Sequence, residues 1–340
     1  MKPPRRRPAL ALAVLLALPG APARADTLEQ ILSRGALVCG VNVGLAGFGL
    51  PDDHGSWRGF DIDYCRAVAA AIFGDPKKVR FTPLSGKDRF TALQSGEIDL
   101  LSRNTTWTLS REAGQGLLFT GINYFDGQAV LTRKARRLKS PRGLAGASIC
   151  VQQGTTSELN LADYVRKAGF TVETVVFTGG DEALKAYESG RCDAYTTDGS
   201  ALYAQRLKLS APDDHEVLPE TISKEPFSPV VRQGDDRWFN LVKWTQFALL
   251  DAEELGVTAA NVDSLRVSKN PEIRRLLGED DDFGAGLGLS RDWVVRILKA
   301  VGNYGEIYSR NLGEGSPLKI PRGLNALWRD GGLQYAPPAR

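Results

Sequence analysis

Histidine is nearly absent from this sequence. His54 and His215 are the only two among 340 residues, and each lies beside aspartates in a polar segment, so we expect both at the surface. Catalysis by a histidine acid or base therefore has almost no candidates. The Gly-x-Ser-x-Gly motif that presents a nucleophilic serine is missing as well. Together these absences argue against a hydrolase.

Long apolar runs are also missing. No stretch reaches the roughly 20 apolar residues that a membrane-spanning helix needs, and the nearest is residues 9–18. That run follows three arginines at 5–7 and precedes the small-residue tripeptide 23–25, an order typical of a secretory signal peptide cut before Asp26. We therefore expect residues 1–25 to direct export. Because position 26 is not a cysteine, we expect no lipid anchor.

The exported part has no excess of positive charge. The formal net charge is +3 at pH 7, but residues 1–25 carry five of the positive side chains, which leaves −2 for the remainder. Nucleic acid and anionic lipid need clustered lysine and arginine, so we expect neither as a partner. The acidic run 279–282 lacks the alternating spacing of a calcium loop. We expect no metal site and no cofactor.

Cysteine is scarce, and its four copies are isolated rather than spaced as zinc ligands. In an exported chain, oxidising conditions favour disulfides. Four cysteines allow three pairings. Cys39 and Cys65 lie in neighbouring elements of the first half, and Cys150 and Cys192 in strand-like segments of the second. We favour pairing within each half, 39 with 65 and 150 with 192, over four free thiols.

Short strand-like runs alternate with amphipathic helical stretches after residue 26, which predicts an α/β fold with parallel sheets. About 315 residues exceed what one core usually organises, so we expect two lobes. Residues 88–99 and 181–193 repeat a pattern: a helix ends at Ser-Gly and a strand follows at once. The polar loops after these strands, 104–106 and 196–198, would then meet in one cleft, because open sheets bind ligands at the carboxyl ends of their strands.

The side chains of these loops form a complementary set for a zwitterion. Arg111, at a predicted helix start, suits a carboxylate. Thr155 and Glu158 fit a capping box, which predicts a helix whose first backbone amides, at 155 and 156, face an anion. Asp198 and nearby threonine hydroxyls suit an ammonium group. A solvated Arg111 and a turn-forming Asp198 before Gly199 are the plain alternatives.

Four runs of the sequence match a known family: Gly59–Ala69, Ser102–Glu112, Gly154–Leu159 and Gly302–Glu306. Through them the sequence resembles the amino-acid-binding proteins of ABC importers, family 3 of the bacterial solute-binding proteins. The resemblance covers the whole exported chain and is nearest to the general L-amino-acid-binding branch. Tyr64 departs from the family signature, which usually has an aliphatic residue or phenylalanine there.

This resemblance implies a type II periplasmic binding protein fold with two lobes, each a mostly parallel sheet with flanking helices, and two hinge crossovers near 128–134 and 226–234. Lobe 1 would comprise residues 26–130 and 232–340, and lobe 2 residues 131–231. The implied activity is capture of a free L-amino acid in the periplasm by a monomer and delivery to an inner-membrane ABC permease.

The resemblance also implies ligand contacts. Arg111 would bind the α-carboxylate with help from Thr106 and Thr156, and Asp198 the α-ammonium. The neighbouring polar groups of the same loops, Asn104, Thr105 and Thr155, complete the expected ligand-binding set.

One departure bears on specificity. Relatives selective for basic or amide side chains often stack them on an aromatic ring after the first strand, where this chain has Gly44–Gly47. We expect a permissive pocket unless Phe48, Trp57 or Trp107 supplies a ring. Two alternatives stay open: an exported cyclohexadienyl (prephenate or arogenate) dehydratase on the same fold, and a scaffold or signalling ectodomain without small-molecule affinity.

Overall fold

The computed structural model describes residues 26–340. Strands and helices alternate along these residues, as the sequence predicts. The predicted signal peptide, 1–25, lies outside these residues. The strands are β1 (Leu37–Asn42), β2 (Leu50–Pro51), β3 (Trp57–Arg58), β4 (Val79–Leu84), β5 (Leu100–Leu101), β6 (Leu117–Phe119), β7 (Tyr124–Asp126), β8 (Gln128–Arg133), β9 (Ser148–Gln152), β10 (Glu173–Phe177), β11 (Ala194–Asp198), β12 (His215–Val217), β13 (Glu225–Phe227) and β14 (Val230–Arg232).

The helices flank the sheets and dominate the chain after residue 235, as predicted. Within the described part of the chain, no helix is long and apolar enough to cross a membrane. The α-helices are α1 (Thr27–Arg34), α2 (Phe60–Phe73), α3 (Arg89–Ser95), α4 (Leu109–Gln115), α5 (Thr156–Ala168), α6 (Gly180–Glu188), α7 (Gly199–Arg206), α8 (Asp236–Glu254), α9 (Val262–Leu265), α10 (Pro271–Leu276), α11 (Phe283–Leu287), α12 (Trp293–Val301) and α13 (Tyr304–Asn311).

Two five-stranded sheets organise the molecule. The first has the order β4-β1-β5-β14-β6, and the second β10-β9-β11-β8-β12. In each sheet three neighbouring strands pair parallel, β4-β1-β5 and β10-β9-β11, and the edge strand, β6 or β12, runs in the same direction. The crossover strand of each sheet, β14 in the first and β8 in the second, pairs antiparallel with both of its neighbours. Both sheets are therefore mixed, because the strand that arrives from the opposite sheet reverses direction.

The chain passes twice between the sheets. Strands β7 and β13 pair antiparallel at these crossings and form a two-stranded hinge ribbon. The next strands along the chain, β8 and β14, belong to the second and first sheet respectively. The lobe limits predicted from the sequence, at 130/131 and 231/232, fall inside β8 and β14, and they stay a prediction.

Both predicted disulfides are present. Cys39 on β1 is bonded to Cys65 on α2, with 6.3 Å between their Cα atoms. Cys150 on β9 is bonded to Cys192, just before β11, with a Cα separation of 5.6 Å. All four side chains are buried. Each bridge therefore ties together neighbouring elements around one sheet, as pairing within each half requires.

Glycines end the two repeated helices as predicted. Gly96 and Gly190 have φ angles of 81° and 84° and follow α3 and α6. Gly59, at the start of the family-like run, has a different reason: a Cβ there would lie 2.0 Å from the Phe48 carbonyl oxygen. The close approach of α2 to this loop therefore requires glycine.

The predicted surface location of His215 is wrong. His215 is 7% exposed, and its Nδ1 lies 2.5 Å from the hydroxyl of Tyr187, beside the core of the second sheet. The aspartates before it made the segment look like a solvated loop. His215 instead begins β12, which pairs with β8 and turns the ring inward.

Candidate functional site

A cavity of about 160 Å³ lies between the two sheets, at the carboxyl ends of β1, β5, β9 and β11. Open parallel sheets bind ligands at this end of their strands. Both polar loops that the sequence singled out open into this one cavity. Its lining residues are Asn42, Val43, Gly44, Leu45, Arg89, Arg103, Asn104, Thr106, Gln152, Thr155, Thr156, Ser157, Gly179, Gly180, Asp181, Glu182, Tyr195, Thr197, Asp198, Ala201 and Gln205.

Most of the predicted ligand-binding residues line this cavity, namely Asn104, Thr106, Thr155, Thr156 and Asp198. Thr105 and Arg111 are not among the lining residues. Thr105 is fully buried, and its hydroxyl donates to the Arg103 carbonyl oxygen at 2.8 Å. Arg111 is 7% exposed, and its Nη1 donates to the Thr106 carbonyl oxygen at 2.7 Å, so it lies directly behind the cavity wall.

The loop after β5 is held by a carboxylate of the neighbouring helix α2. Asp61 accepts from the Ser102 hydroxyl at 3.0 Å and from the Asn104 backbone N–H at 2.9 Å. Asn104 adopts a φ of 30°, a region that asparagine tolerates better than most residues. Burial raises the pKa of Asp61 to about 6. The family-like run that contains Asp61 therefore positions the cavity wall without lining it.

Asp198 and Asn104 connect the two sheets across the cavity. The Asn104 amide donates to Asp198 Oδ2 at 3.2 Å. Asp198 is 8% exposed, and burial, followed by the negative charges of Glu225 and Asp126, raises its pKa well above the usual aspartate range. A cationic ligand group beside Asp198 would oppose this effect, since an opposite charge favours the ionised carboxylate.

Three buried arginines bring positive charge to the cavity. Arg89 and Arg103 line it, and Arg111 lies behind it. Arg89, Arg103 and Arg111 donate to uncharged acceptors, which are Thr105 Oγ1, the Leu84 carbonyl and the Thr106 carbonyl respectively. Burial lowers the pKa of all three; for Arg89 it acts together with the charges of the other two, and Arg103 falls to about 10. This charge would be better compensated by an anion.

Helix α5 presents its N-terminus to the same cavity, but the predicted capping box is wrong. Thr155 makes no capping bond, and its hydroxyl donates to the Gln152 carbonyl at 2.7 Å. The Glu158 carboxylate accepts from the Gly154 N–H at 3.2 Å. The first-turn amides of α5 therefore lack a side-chain cap, which suits the binding of an external anion.

A buried carboxylate, Glu225, lies at the hinge ribbon next to the cavity. It is fully buried on β13, opposite Asp126 of β7. Its Oε2 accepts from the Thr106 and Thr156 hydroxyls, at 2.5 and 2.8 Å. One carboxylate oxygen thus joins the loop after β5 to the start of α5.

Family comparison identifies the architecture. The model of the bacterial extracellular solute-binding proteins, family 3, matches residues 37–256, a range that includes both five-stranded sheets and the cavity. The chain belongs to this family.

Relatives match nearly the whole chain. It is 56% identical over 330 residues to the general L-amino acid-binding periplasmic protein AapJ of Rhizobium johnstonii, covering 96% of this chain and 97% of that one. It is 52% identical to the putative amino-acid ABC transporter-binding protein YhdW of Escherichia coli K12, covering 97% of each. A solved ABC transporter periplasmic binding protein from Brucella ovis, with glutathione bound, gives a TM-score of 0.92 at 60% identity over 93% of this chain and 100% of that one. These relatives are binding proteins, so this family member is a solute-binding protein and not an enzyme.

Aromatic rings contribute little to the cavity wall of this family member. The three rings proposed from the sequence lie elsewhere. Phe48 is fully buried beside Tyr124, and Trp57 packs near Phe81. Trp107 stacks on the ring of Phe119. Tyr195 of β11 is the aromatic residue that lines the cavity. The glycine-rich loop after β1 leaves its side of the cavity without a ring.

Sequence reasoning missed five charged residues of the site. Arg89, Arg103, Asp181 and Glu182 line the cavity, and Glu225 lies next to it. Arg103 lies inside the run already singled out, two residues after a buried strand, so its position was a usable signal. Arg89 reads as an ordinary residue of an amphipathic helix start. Glu225 lies between Lys224 and Pro226 in a polar stretch, and nothing local distinguishes it from a solvated glutamate.

Proposed function

We propose that this solute-binding protein captures free L-amino acids in the cavity and delivers them to an inner-membrane ABC permease from the periplasm. The observation that carries the proposal is that one cavity brings buried arginines and the uncapped amides of a helix N-terminus together with the buried carboxylate of Asp198. A zwitterion pairs both sets, which offsets the cost of burying charge. The amino-acid-binding relatives support the same ligand class.

The proposed contacts follow this charge pattern. Arg111, Arg89 and Arg103, with the first-turn amides at Thr155 and Thr156, attract the α-carboxylate. Asp198 and Asn104 hold the α-ammonium, Thr106 and Thr156 contribute their hydroxyls, and Thr105 supports Arg89 from behind through a 3.4 Å hydrogen bond. The side chain of the ligand points toward the open glycine loop, which favours broad specificity.

Ligand capture is proposed to close two lobes, 26–130 with 232–340 and 131–231, about the ribbon of β7 and β13. Direct contacts already cross the cleft, between Asn104 and Asp198 and between the Lys208 ammonium and the Gly44 carbonyl at 3.3 Å. A ligand bound by both lobes stabilises the closed arrangement by the difference in its affinity for the two states. We expect a monomer with no nucleic-acid partner, exported by a cleaved signal peptide and without a lipid anchor.

The proposal is tested by calorimetry on ligand-stripped protein starting at Asp26. The panel contains the twenty standard L-amino acids and glutathione, which is bound in the Brucella ovis relative. We expect micromolar or tighter binding, about −8 kcal/mol, for several amino acids. Absence of binding to the whole panel would contradict the proposal and favour a scaffold. Turnover of prephenate or arogenate would contradict it in favour of the dehydratase.

A further inference from the structure

Glu225 collects hydrogen bonds from both sides of the cleft. Besides the Thr106 and Thr156 hydroxyls on Oε2, its Oε1 accepts from the Asn160 amide at 2.6 Å and from the Ser223 hydroxyl at 2.9 Å. An ionised carboxylate offers about four acceptor positions and no donor. Four side-chain donors therefore fill the acceptor positions of this fully buried carboxylate.

This arrangement fixes the direction of two hydroxyl protons. A threonine hydroxyl has one proton and two lone pairs. When Thr106 and Thr156 donate their protons to Glu225, only lone pairs are left for a ligand in the cavity. The Thr155 hydroxyl is committed in the same way, to the Gln152 carbonyl. The hydroxyls on this wall can thus accept a hydrogen bond from a ligand but cannot donate one.

We infer that Glu225 is a positioning residue that makes Thr106 and Thr156 acceptors for the α-ammonium of the ligand and keeps them from binding its carboxylate. The two oxygens are 3.5 Å apart, close enough for one ammonium group to contact both. Asp198 adds the opposing charge, and the carboxylate is left to the arginines and the amides of α5. This inference rests on the proposed function and decides between the two roles that the sequence allows for these threonines.

Substitution of Glu225 by glutamine reverses the hydroxyls. The Asn160 amide nitrogen can only donate, so the glutamine carbonyl must face Asn160 and its NH₂ group must face the threonines. Thr106 and Thr156 then accept from glutamine, and their protons turn toward the cavity. The side-chain volume is nearly unchanged, whereas the polarity of the wall is inverted.

The test is a double-mutant cycle read by calorimetry with the twenty L-amino acids. We expect Glu225→Gln and Thr106→Val each to weaken binding about 10- to 100-fold, the cost of losing hydrogen bonds to a charged group. Thr106→Val added to Glu225→Gln should cost little more, or restore part of the affinity, because it removes a misdirected donor. Thr156→Val should behave in the same way. Glu253→Gln, at an ion pair with Arg322 remote from the cavity, is the matched control and should bind like the unchanged protein.

The outcomes separate the inference from the function. If the unchanged protein binds no amino acid, the proposed function fails. If it binds and Glu225→Gln leaves affinity unchanged or higher, the threonines donate to the carboxylate and the inference is overturned. Fully additive losses in the cycle would also overturn it, since they indicate a merely structural role for Glu225. Thermal unfolding of each variant identifies any that fails to fold. If Glu225→Gln fails, Thr106→Val is measured with an α-amino acid and with the matching α-hydroxy acid, and an acceptor role predicts a loss confined to the amino acid. An equal loss for both ligands would overturn the inference.

Discussion

The Asn104 amide donates to Asp198 across the cleft, at 3.2 Å. Asn104 lies in the loop after β5 of the first sheet, and Asp198 is the last residue of β11 in the second sheet. Their contact places the proposed ammonium site where the two lobes meet. Closure of the lobes and completion of the ligand site are therefore one event in the proposed mechanism.

Replacing Asp198 by alanine should remove ligand binding and leave the fold intact. The variant leaves the ligand ammonium buried without its charge partner, a loss of about 3–5 kcal/mol, or more than 100-fold in affinity. Asn104→Ala should cost less, because it removes a neutral partner. Calorimetry with the amino-acid panel measures both, and Asp213→Ala at an exposed position is the control. Affinity equal to that of the unchanged protein in Asp198→Ala would refute the assignment.

At low pH, where Asp198 is protonated in the empty cleft, ligand binding should release a proton from it. The pKa of Asp198 is raised in the empty cleft by burial and by Glu225 and Asp126. A bound ammonium lowers this pKa, so affinity is constant above the raised value and falls as the pH drops through it. Titrations in buffers of different ionisation enthalpy measure the release. Proton uptake, or a pH-independent affinity in this range, would contradict this role of Asp198.

The α/β fold, the two disulfide pairs and the meeting of the loops at 104–106 and 196–198 could be predicted from the sequence. Hydrophobic periodicity predicts the strands and helices, and ligand binding at the carboxyl ends of parallel strands predicts that the two loops meet. Both arguments need only the local sequence pattern. Glu225 could not be predicted in this way. It bonds to Thr106 and Thr156, 119 and 69 residues away, only because the hinge ribbon brings it between the lobes.

Local patterns also misled at two positions. Thr155 and Glu158 have the spacing of a capping box, but the Thr155 hydroxyl donates to the Gln152 carbonyl and accepts from no first-turn amide. His215 follows two aspartates, yet pairing of β12 with β8 buries it. In both cases a contact made by the folded chain replaced the one that the sequence suggested.

Arg111→Ala should lower affinity at least 100-fold without unfolding the protein. Arg111 is buried behind the cavity, bonded to the Thr106 carbonyl, and its charge acts near the proposed carboxylate site. Loss of a hydrogen bond to a charged group costs about 1.5–3 kcal/mol of binding free energy. Loss of the Arg111 bond to the Thr106 carbonyl should also displace the Thr106 loop, which lowers the affinity further. Arg103→Ala tests the neighbouring cation that lines the cavity. Arg274→Ala, at a partly exposed position that is not among the cavity-lining residues, is the control. Unchanged affinity in Arg111→Ala would exclude Arg111 from the site.

Removal of the Cys150–Cys192 bridge should destabilise the second sheet. The bridge closes a sequence separation of 42 residues, for which the chain-entropy model gives about 4 kcal/mol. The Cys39–Cys65 bridge, with a separation of 26, should contribute about 3.5 kcal/mol on the same basis. Urea unfolding of each double Cys→Ala variant measures the loss of unfolding free energy. A change below about 1 kcal/mol in both variants would contradict the stabilising role.

Asp251 lies on α8, far along the chain from the cleft residues, in an environment that disfavours the charged form of its carboxylate. Its Oδ2 is buried without a hydrogen-bond partner among the described residues. Burial, with the negative charges of Glu254 and Glu272, raises its pKa to about 7. The folded protein therefore binds a proton at Asp251 more tightly than the unfolded chain, where aspartate has a pKa near 3.8.

Asp251→Asn should consequently stabilise the protein at high pH. The ionised carboxylate costs stability progressively as the pH rises from about 4 to about 7, and the full cost applies above that range. After a discount for partial exposure, we expect the variant to gain about 1–2 kcal/mol of unfolding free energy at pH 8 and almost nothing at pH 4. Urea unfolding at the two pH values measures the difference, with Asp330→Asn at an exposed position as the control. An equal gain at both pH values would mean that packing, rather than the buried charge, is responsible.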